Sequence, residues 1–149
     1  MKPKKTDKIY FMGIGGTGMA AAAGLLQEAG YNICGSDAGV YPPMSDLLAD
    51  LGIPYTTPYD EQNIQKADPD LVVVANALSR GNVEVESMLA QEIPYTSFPE
   101  LLGDCFLKDR QTIVVSGTHG KTTTTSAMAH ILEQTGQQPG FLIGGIPHD

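Results

Sequence analysis

Ile9-Tyr10-Phe11-Met12-Gly13-Ile14-Gly15-Gly16-Thr17-Gly18-Met19 is an uncharged run that starts apolar, breaks into glycines and then continues with helix periodicity. Residues 9–12 have the length of a buried strand. Residues 17–29 read as a helix, with Gly30 at its C′ position. Between them Gly13, Gly15 and Gly18 satisfy G-x-G-x-x-G, with an additional Gly16. In that setting glycines give a tight turn, close backbone approach to a diphosphate and close helix–strand packing. An acidic residue is expected roughly 20 positions on, at the end of the second strand. Asp37 stands there, after Gly35-Ser36. The plain alternative is that the glycines serve packing alone and that Asp37 caps a turn. The strand before and the helix after favour a ligand.

Working outward, strand-length and helix-length segments alternate. Residues 31–35 read as a strand. Pro42-Pro43 breaks the chain, and a short helix starts at Ser45 and ends near Gly52. Residues 53–56 form a weak strand and residues 70–75 a strong one, apolar throughout its centre as expected when both sheet faces are covered. Asn82 can N-cap a helix over 83–91. A strand over 93–96 and a helix over 99–106 follow. The alternation predicts an α/β fold, a Rossmann-like doubly wound parallel sheet with right-handed crossovers. Ligands of such sheets bind beyond the carboxyl ends of the strands. Asn76, Ser79, Arg80 and Asn82, just past the strong strand, are therefore candidate contacts, although each singly suits a turn or cap equally well.

A second loop of the same kind lies downstream. Ser116-Gly117-Thr118-His119-Gly120-Lys121-Thr122 joins the apolar run Thr112-Ile113-Val114-Val115 to a helix-like run over 122–134. The pattern predicts a buried strand, a glycine-rich turn and a helix N-terminus, which together point N–H groups and the positive end of a dipole at a phosphate. Against G-x-x-x-x-G-K-[ST] the match is partial, because Val115 stands at the first glycine position. Lys121 is expected to reach the β/γ-phosphates and the Thr122 hydroxyl to face Mg²⁺. Gly117, Thr118, Gly120 and Thr123 would contact phosphate. His119 could do so or simply shape the loop. Thr124 and Thr125 suit packing or exposure, His130 reads as structural, and His148 is uninformative.

The charged stretch Leu107-Lys108-Asp109-Arg110 precedes this second unit and marks a domain boundary, giving 1–107 and 108–149. The second unit holds two expected strands, 112–115 and 141–144, around one helix. It is too small to bury its own core, so a further domain is expected to continue it.

Composition limits the classes of function. The 149 residues are 42% hydrophobic and 17% charged, which fits a globular core. The formal charge is −8, and four of the nine basic residues (Lys2, Lys4, Lys5, Lys8) precede the first strand. A nucleic-acid groove needs a basic face and is excluded. The lysine-rich start reads as a frayed, solvated terminus. Cys34 and Cys105 form neither a zinc pattern nor a disulfide framework and read as free buried thiols of a reducing cytoplasm. Lysines followed by an uncharged stretch imitate a signal peptide or membrane helix, but glycines at 13, 15, 16, 18 and 24 argue against both, so no membrane insertion is expected.

The two loops, a domain apart, resemble the paired loops of the Mur ligase family of peptidoglycan enzymes, and the resemblance extends over essentially the whole chain. Gly13-Ile14-Gly15-Gly16-Thr17-Gly18-Met19 is similar to the family's uridine-diphosphate loop in the branch acting on UDP-N-acetylmuramate. Gly117-Thr118-His119-Gly120-Lys121-Thr122-Thr123-Thr124 is similar to its ATP loop. The resemblance implies a Rossmann-like UDP-sugar domain followed by the start of a P-loop ATPase-type α/β domain. It implies ATP and Mg²⁺ as cofactors, with UDP-N-acetylmuramate held by residues 13–19, Ser36, Asp37, Asn76 and Asn82. Two branch members compete. One adds L-alanine. The other, in peptidoglycan recycling, adds L-alanyl-γ-D-glutamyl-meso-diaminopimelate, whose site would lie outside this chain. Segments 36–45, 76–82 and 139–145 look like the second; the alanine-adding member usually has two serines where Ala75-Asn76 stand here. The implied reaction is ATP-driven amide formation through an acyl phosphate, in the bacterial cytoplasm. Family members run through three domains, so the chain is expected to be an N-terminal part, inactive alone. Readings from other classes are a nicotinamide-dependent oxidoreductase with an incidental Lys121 loop and a module that only binds a UDP-sugar.

Overall fold

The computed structural model describes residues 2–143. Five parallel strands, β1 (Lys8–Met12), β2 (Asn32–Ser36), β3 (Tyr55–Thr56), β4 (Leu71–Val74) and β5 (Tyr95–Ser97), form one sheet in the order β3-β2-β1-β4-β5. β1 is central: Met12 is in register with Ser36 on one side and with Val74 on the other. The alternation of a strand explains why its sequence has no polar residue in the middle. Ile9 and Phe11 pack on one face with Ala20, Ala23 and Leu26 of α1 (Thr17–Glu28) and Leu48 of α2 (Met44–Asp50). Tyr10 and Met12 pack on the other with Ile64 of α3 (Glu61–Ala67) and Val85 and Met88 of α4 (Val83–Ala90). The chain leaves β1 toward one face and β4 toward the opposite face. The C-terminal ends of these neighbouring strands are thus the topological switch point, where open α/β sheets leave a crevice.

Local chemistry sets the helix ends. Gly30 takes φ +85° after α1, a conformation glycine adopts without strain. The Asn82 carboxamide oxygen accepts from the Glu84 and Val85 N–H groups at 2.9 and 3.3 Å, the expected cap of α4. Asp60 caps α3 in the same way, accepting from Gln62 N at 2.8 Å. α3 is absent from the sequence reading, because it is seven residues long and buries only Ile64. Ser97 caps α5 (Phe98–Leu102), which runs into a π-helical turn at Gly103–Leu107, so the single helix expected over 99–106 is two pieces.

Four further expectations are corrected. The weak strand over 53–56 is reduced to Tyr55–Thr56. Residues 112–115 form no strand: among the described residues β5 pairs only with β4, and none offers 112–115 a ladder. Residues 141–143 are likewise outside any strand, and Gly144, Gly145 and His148 lie outside the described residues. The lysine-rich start is tied down rather than frayed. Lys5 sits over the Tyr31 ring at 3.7 Å and donates to the Ala29 carbonyl, while Lys8 Nζ donates to the Ala67 carbonyl at 2.6 Å. Both cysteines are free and half-buried, and burial pushes the Cys34 thiol up from its ordinary pKa. α6 (Lys121–Gln134) forms as expected, one residue earlier than read.

Two candidate phosphate loops

The first loop is built on buried backbone. Gly13 takes φ +88°, and a Cβ there would stand 2.7 Å from the Ala75 Cβ, so both conformation and space require glycine. The Gly13 and Ile14 N–H groups donate to the Ser36 carbonyl at 2.8 and 3.0 Å, fastening the turn to the end of β2. Ile14 and Met19 are buried and pin the loop from beneath. Gly15 N donates to Asp37 Oδ2 at 2.8 Å, and Gly39 N donates to Asp37 Oδ1 at 3.2 Å. Asp37, the acidic residue expected at this spacing, therefore braces the loop in this structure. A Cβ at Gly15 would meet that carboxylate at 3.0 Å.

Gly16 and Gly18 differ from these. Gly16 is the N-cap of α1 at φ −67°, ψ 137°, a conformation open to any residue. A Cβ there would meet nothing nearer than the Gly13 carbonyl at 3.5 Å, and one at Gly18 would meet only Phe98 Cε1 at 3.8 Å. Close helix–strand packing, the expected reason for the last glycine, is not what Gly18 serves. No side chain caps α1, and Thr17 is exposed at its first turn.

Behind the loop, Ser36 is fully buried and its hydroxyl donates to Glu84. Its side chain is thus turned into the protein while its carbonyl carries the turn. Asn82 is half-buried and engaged as a cap; Asn76, Ser79 and Arg80 are exposed on the loop beyond β4. Arg80 Nε donates to Glu86 Oε1 at 2.8 Å and Gly81 N to the same oxygen at 2.9 Å; the Gly81 amide first, then Arg80, hold the Glu86 carboxyl below the usual range. Leu78 and Tyr59 close over Gly13: a Cβ at Gly13 would lie 3.7 Å from both Leu78 Cδ1 and Tyr59 Oη. Burial first, with the charges of Asp37 and Glu84, pushes the Tyr59 phenol up to about 12. Burial, and then the Glu84 charge, also raises Tyr10 well above its ordinary value. Sequence reasoning missed Tyr59 and Glu84. A tyrosine next to a proline carries no site signal, and Glu84 reads as an ordinary first-turn acid beside Glu86.

The second loop is solvent-exposed from Ser116 to Thr124. Gly120 takes φ +78° as the N-cap of α6 and offers no side chain, so the first-turn N–H groups have no side-chain cap. Lys121 Nζ folds back on its own loop, donating to the Gly117 carbonyl at 2.6 Å and the Thr118 carbonyl at 3.3 Å. His119 Nδ1 lies 3.3 Å from Thr118 Oγ1, an arrangement that shapes the loop. Thr122 and Thr123 are exposed in the first turn. Among the described residues no group of three or more His, Cys, Asp or Glu is placed to hold a metal ion. One hydroxyl suits Mg²⁺ only as part of a shell completed by phosphate oxygens and water, the usual arrangement for this ion. Among the described residues no helix is long and apolar enough to cross a membrane.

A family model described as "Mur ligase family, catalytic domain" matches residues 8–110. Over 140 residues the chain is 49% identical to the UDP-N-acetylmuramate–L-alanyl-γ-D-glutamyl-meso-2,6-diaminoheptandioate ligase of Escherichia coli, covering 94% of this chain and 30% of the relative. Against the UDP-N-acetylmuramate–L-alanine ligase of Dichelobacter nodosus the identity is 40% over 143 residues, with 96% and 29% covered. The crystal structure of UDP-N-acetylmuramate:L-alanyl-γ-D-glutamyl-meso-diaminopimelate ligase from Neisseria meningitides superposes with a TM-score of 0.91 at 42% identity, covering 95% of this chain and 44% of that one. The chain thus spans about a third of the length of these curated relatives.

Proposed function

The chain belongs to the Mur ligase family, and from that premise we propose that it is the UDP-N-acetylmuramate-binding part, with the first ATP-binding elements, of a ligase of peptidoglycan recycling. The whole enzyme joins that sugar nucleotide to L-alanyl-γ-D-glutamyl-meso-diaminopimelate in the cytoplasm. Residues 1–107 form the UDP-sugar domain and residues 108–149 begin the ATP domain. The lactyl carboxylate takes the γ-phosphoryl group of ATP with release of ADP, and the amino group of the peptide, giving up a proton, displaces phosphate from the resulting acyl phosphate. Lys121 leaves its loop carbonyls to neutralise charge on the transferring phosphoryl group. Thr122 would contribute one oxygen to Mg²⁺, which would supply neutralising charge at the phosphates. The first loop positions the acceptor rather than reacting.

The observation that carries this reading is Gly16. Neither conformation nor neighbours demand a glycine there, yet it caps a helix whose N–H groups point at the switch-point crevice. Glycine at a position where the protein itself has room is explained by a ligand that takes the room, as a diphosphate does at a helix N-terminus. The greater identity to the tripeptide ligase than to the alanine ligase supports the choice of amine substrate.

Gly16→Ser tests the site without harming the fold. Serine is a favoured N-cap, so thermal stability should stay the same or rise slightly. Its side chain would stand where the diphosphate sits, and calorimetry should show UDP-N-acetylmuramate affinity falling by about tenfold or more, equivalent to about 1.4 kcal/mol. Unchanged affinity in the folded variant sinks the assignment. Binding of NADH in place of the UDP-sugar by the unaltered protein would establish the oxidoreductase reading instead.

A further inference from the structure

Glu84 is a charged residue that is fully buried, at 0% exposure. Its Oε1 accepts from Asp60 N at 3.1 Å and Asn63 Nδ2 at 2.7 Å; its Oε2 accepts from Tyr10 Oη at 3.3 Å and from the Ser36 hydroxyl. Each oxygen accepts from two neutral donors, with the α4 N-terminus adding its dipole, and no cation among the described residues takes part. A buried carboxylate is costly even when so satisfied, and an apolar side chain serves stability as well or better. The donors explain the placement. Tyr10 lies on β1 and Ser36 ends β2, while Asp60 and Asn63 belong to the start of α3. Ser36 is two-sided: its hydroxyl meets Glu84, and its carbonyl holds the Gly13 and Ile14 N–H groups of the first loop. Glu84 itself stands at the end of the other loop bordering the crevice, with its N–H on the Asn82 cap.

We propose that Glu84 is a positioning residue. It locks the turn at Gly13–Gly16 and the loop 76–82 to one another through Ser36 and Asn82, so that the crevice between β1 and β4 is preformed for a nucleotide diphosphate. The ligand part rests on the UDP-sugar reading above; the locking does not.

Glu84→Gln separates the two. The glutamine oxygen can still accept from Asp60 and Asn63, but its NH₂ faces Ser36 and Tyr10, whose hydroxyls must then turn to accept. Amide hydrogen exchange followed by NMR should speed up by about tenfold at Gly13, Ile14, position 84 and Val85, while Val72 and Val73 inside β4 stay within about twofold, the mark of local opening. UDP-N-acetylmuramate affinity should fall by a similar factor. Ser36→Ala, which removes a single hydroxyl, should repeat the pattern more weakly and carries the test if Glu84→Gln does not fold. Unchanged exchange at Gly13 and Ile14, or equal acceleration at every amide, overturns the proposal. If the unaltered protein fails to bind the UDP-sugar, the binding reading falls, and the exchange pattern still decides the role of Glu84.

Discussion

The two glycine-rich loops have the same grammar in sequence and different fates in the fold. The first is anchored on three sides: β1 is paired on both edges, the Ser36 carbonyl holds two of its N–H groups, and buried Ile14 and Met19 sit below it. The second hangs from residues that pair with no strand among the described residues. Val114 is 79% exposed and Ile131 61% exposed, and only Ala129 of α6 is buried. The contact that does tie this region to the rest comes later, where Leu142 packs against the core of α1 and α2 and Ile143 is buried. A glycine-rich strand–turn–helix sequence is therefore not a self-sufficient motif. Its strand exists only where a sheet supplies a ladder, since isolated extended chain gains no cross-strand packing.

The difference gives the largest expected effect. In an enzyme of the relatives' full length carrying this segment, Lys121→Ala should lower ligation by roughly 10²–10³-fold, the usual result of removing a preorganised charge from a transferring group. UDP-N-acetylmuramate affinity should stay within about twofold, because the lysine touches only its own loop. Steady-state turnover together with calorimetry reads both. Near-normal turnover would remove the ATP role from the second loop and leave the chain with one functional cradle.

Stability should be divided in the same way. Phe11 is fully buried at the centre of the sheet, so Phe11→Ala should cost about 3–5 kcal/mol in urea unfolding. Ile131→Ala should stay within about 0.5 kcal/mol, as for surface substitutions generally. Comparable losses at the two sites would mean that α6 is covered in solution, and the contrast between the regions would collapse.

The parts of the fold legible in the sequence are those where one local signal sufficed. The apolar centre of β1, Gly30 after α1 and the Asn82 cap all act within a few residues of themselves. What was not legible depended on partners far along the chain. Residues 112–115 have the composition of a buried strand, but a strand is a pairing and not a composition. α3 was hidden because one buried isoleucine makes no periodicity. At the candidate site the glycine turn was readable. The inward turn of Ser36, the brace from Asp37 to Gly15 and the buried Glu84 were not, because each is defined by a contact across tens of residues. Even the glycines divide this way: Gly13 is required by Ala75, whereas Gly16 is required by nothing inside the protein.

The smallest expected effect concerns Tyr59, which borders the first loop and has no counterpart at the second. Its phenol is held at about 12, mainly by burial, against an ordinary value near 10. Below pH 10 the phenol is protonated in the folded and unfolded chains alike, and its contribution is fully present. Between about pH 10 and 12 the unfolded chain releases the proton first, so stability falls as pH rises through that window. Tyr59→Phe cannot ionise and should flatten this part of the decline, by about 1 kcal/mol at most once the phenol's partial exposure is discounted. Tyr10, Tyr31 and Cys34, each also raised by burial, keep part of the slope. Urea midpoints at pH 9 and pH 11.5 for the two proteins measure the effect. Equal losses in both would show that alkali does not act through the wall of the first loop.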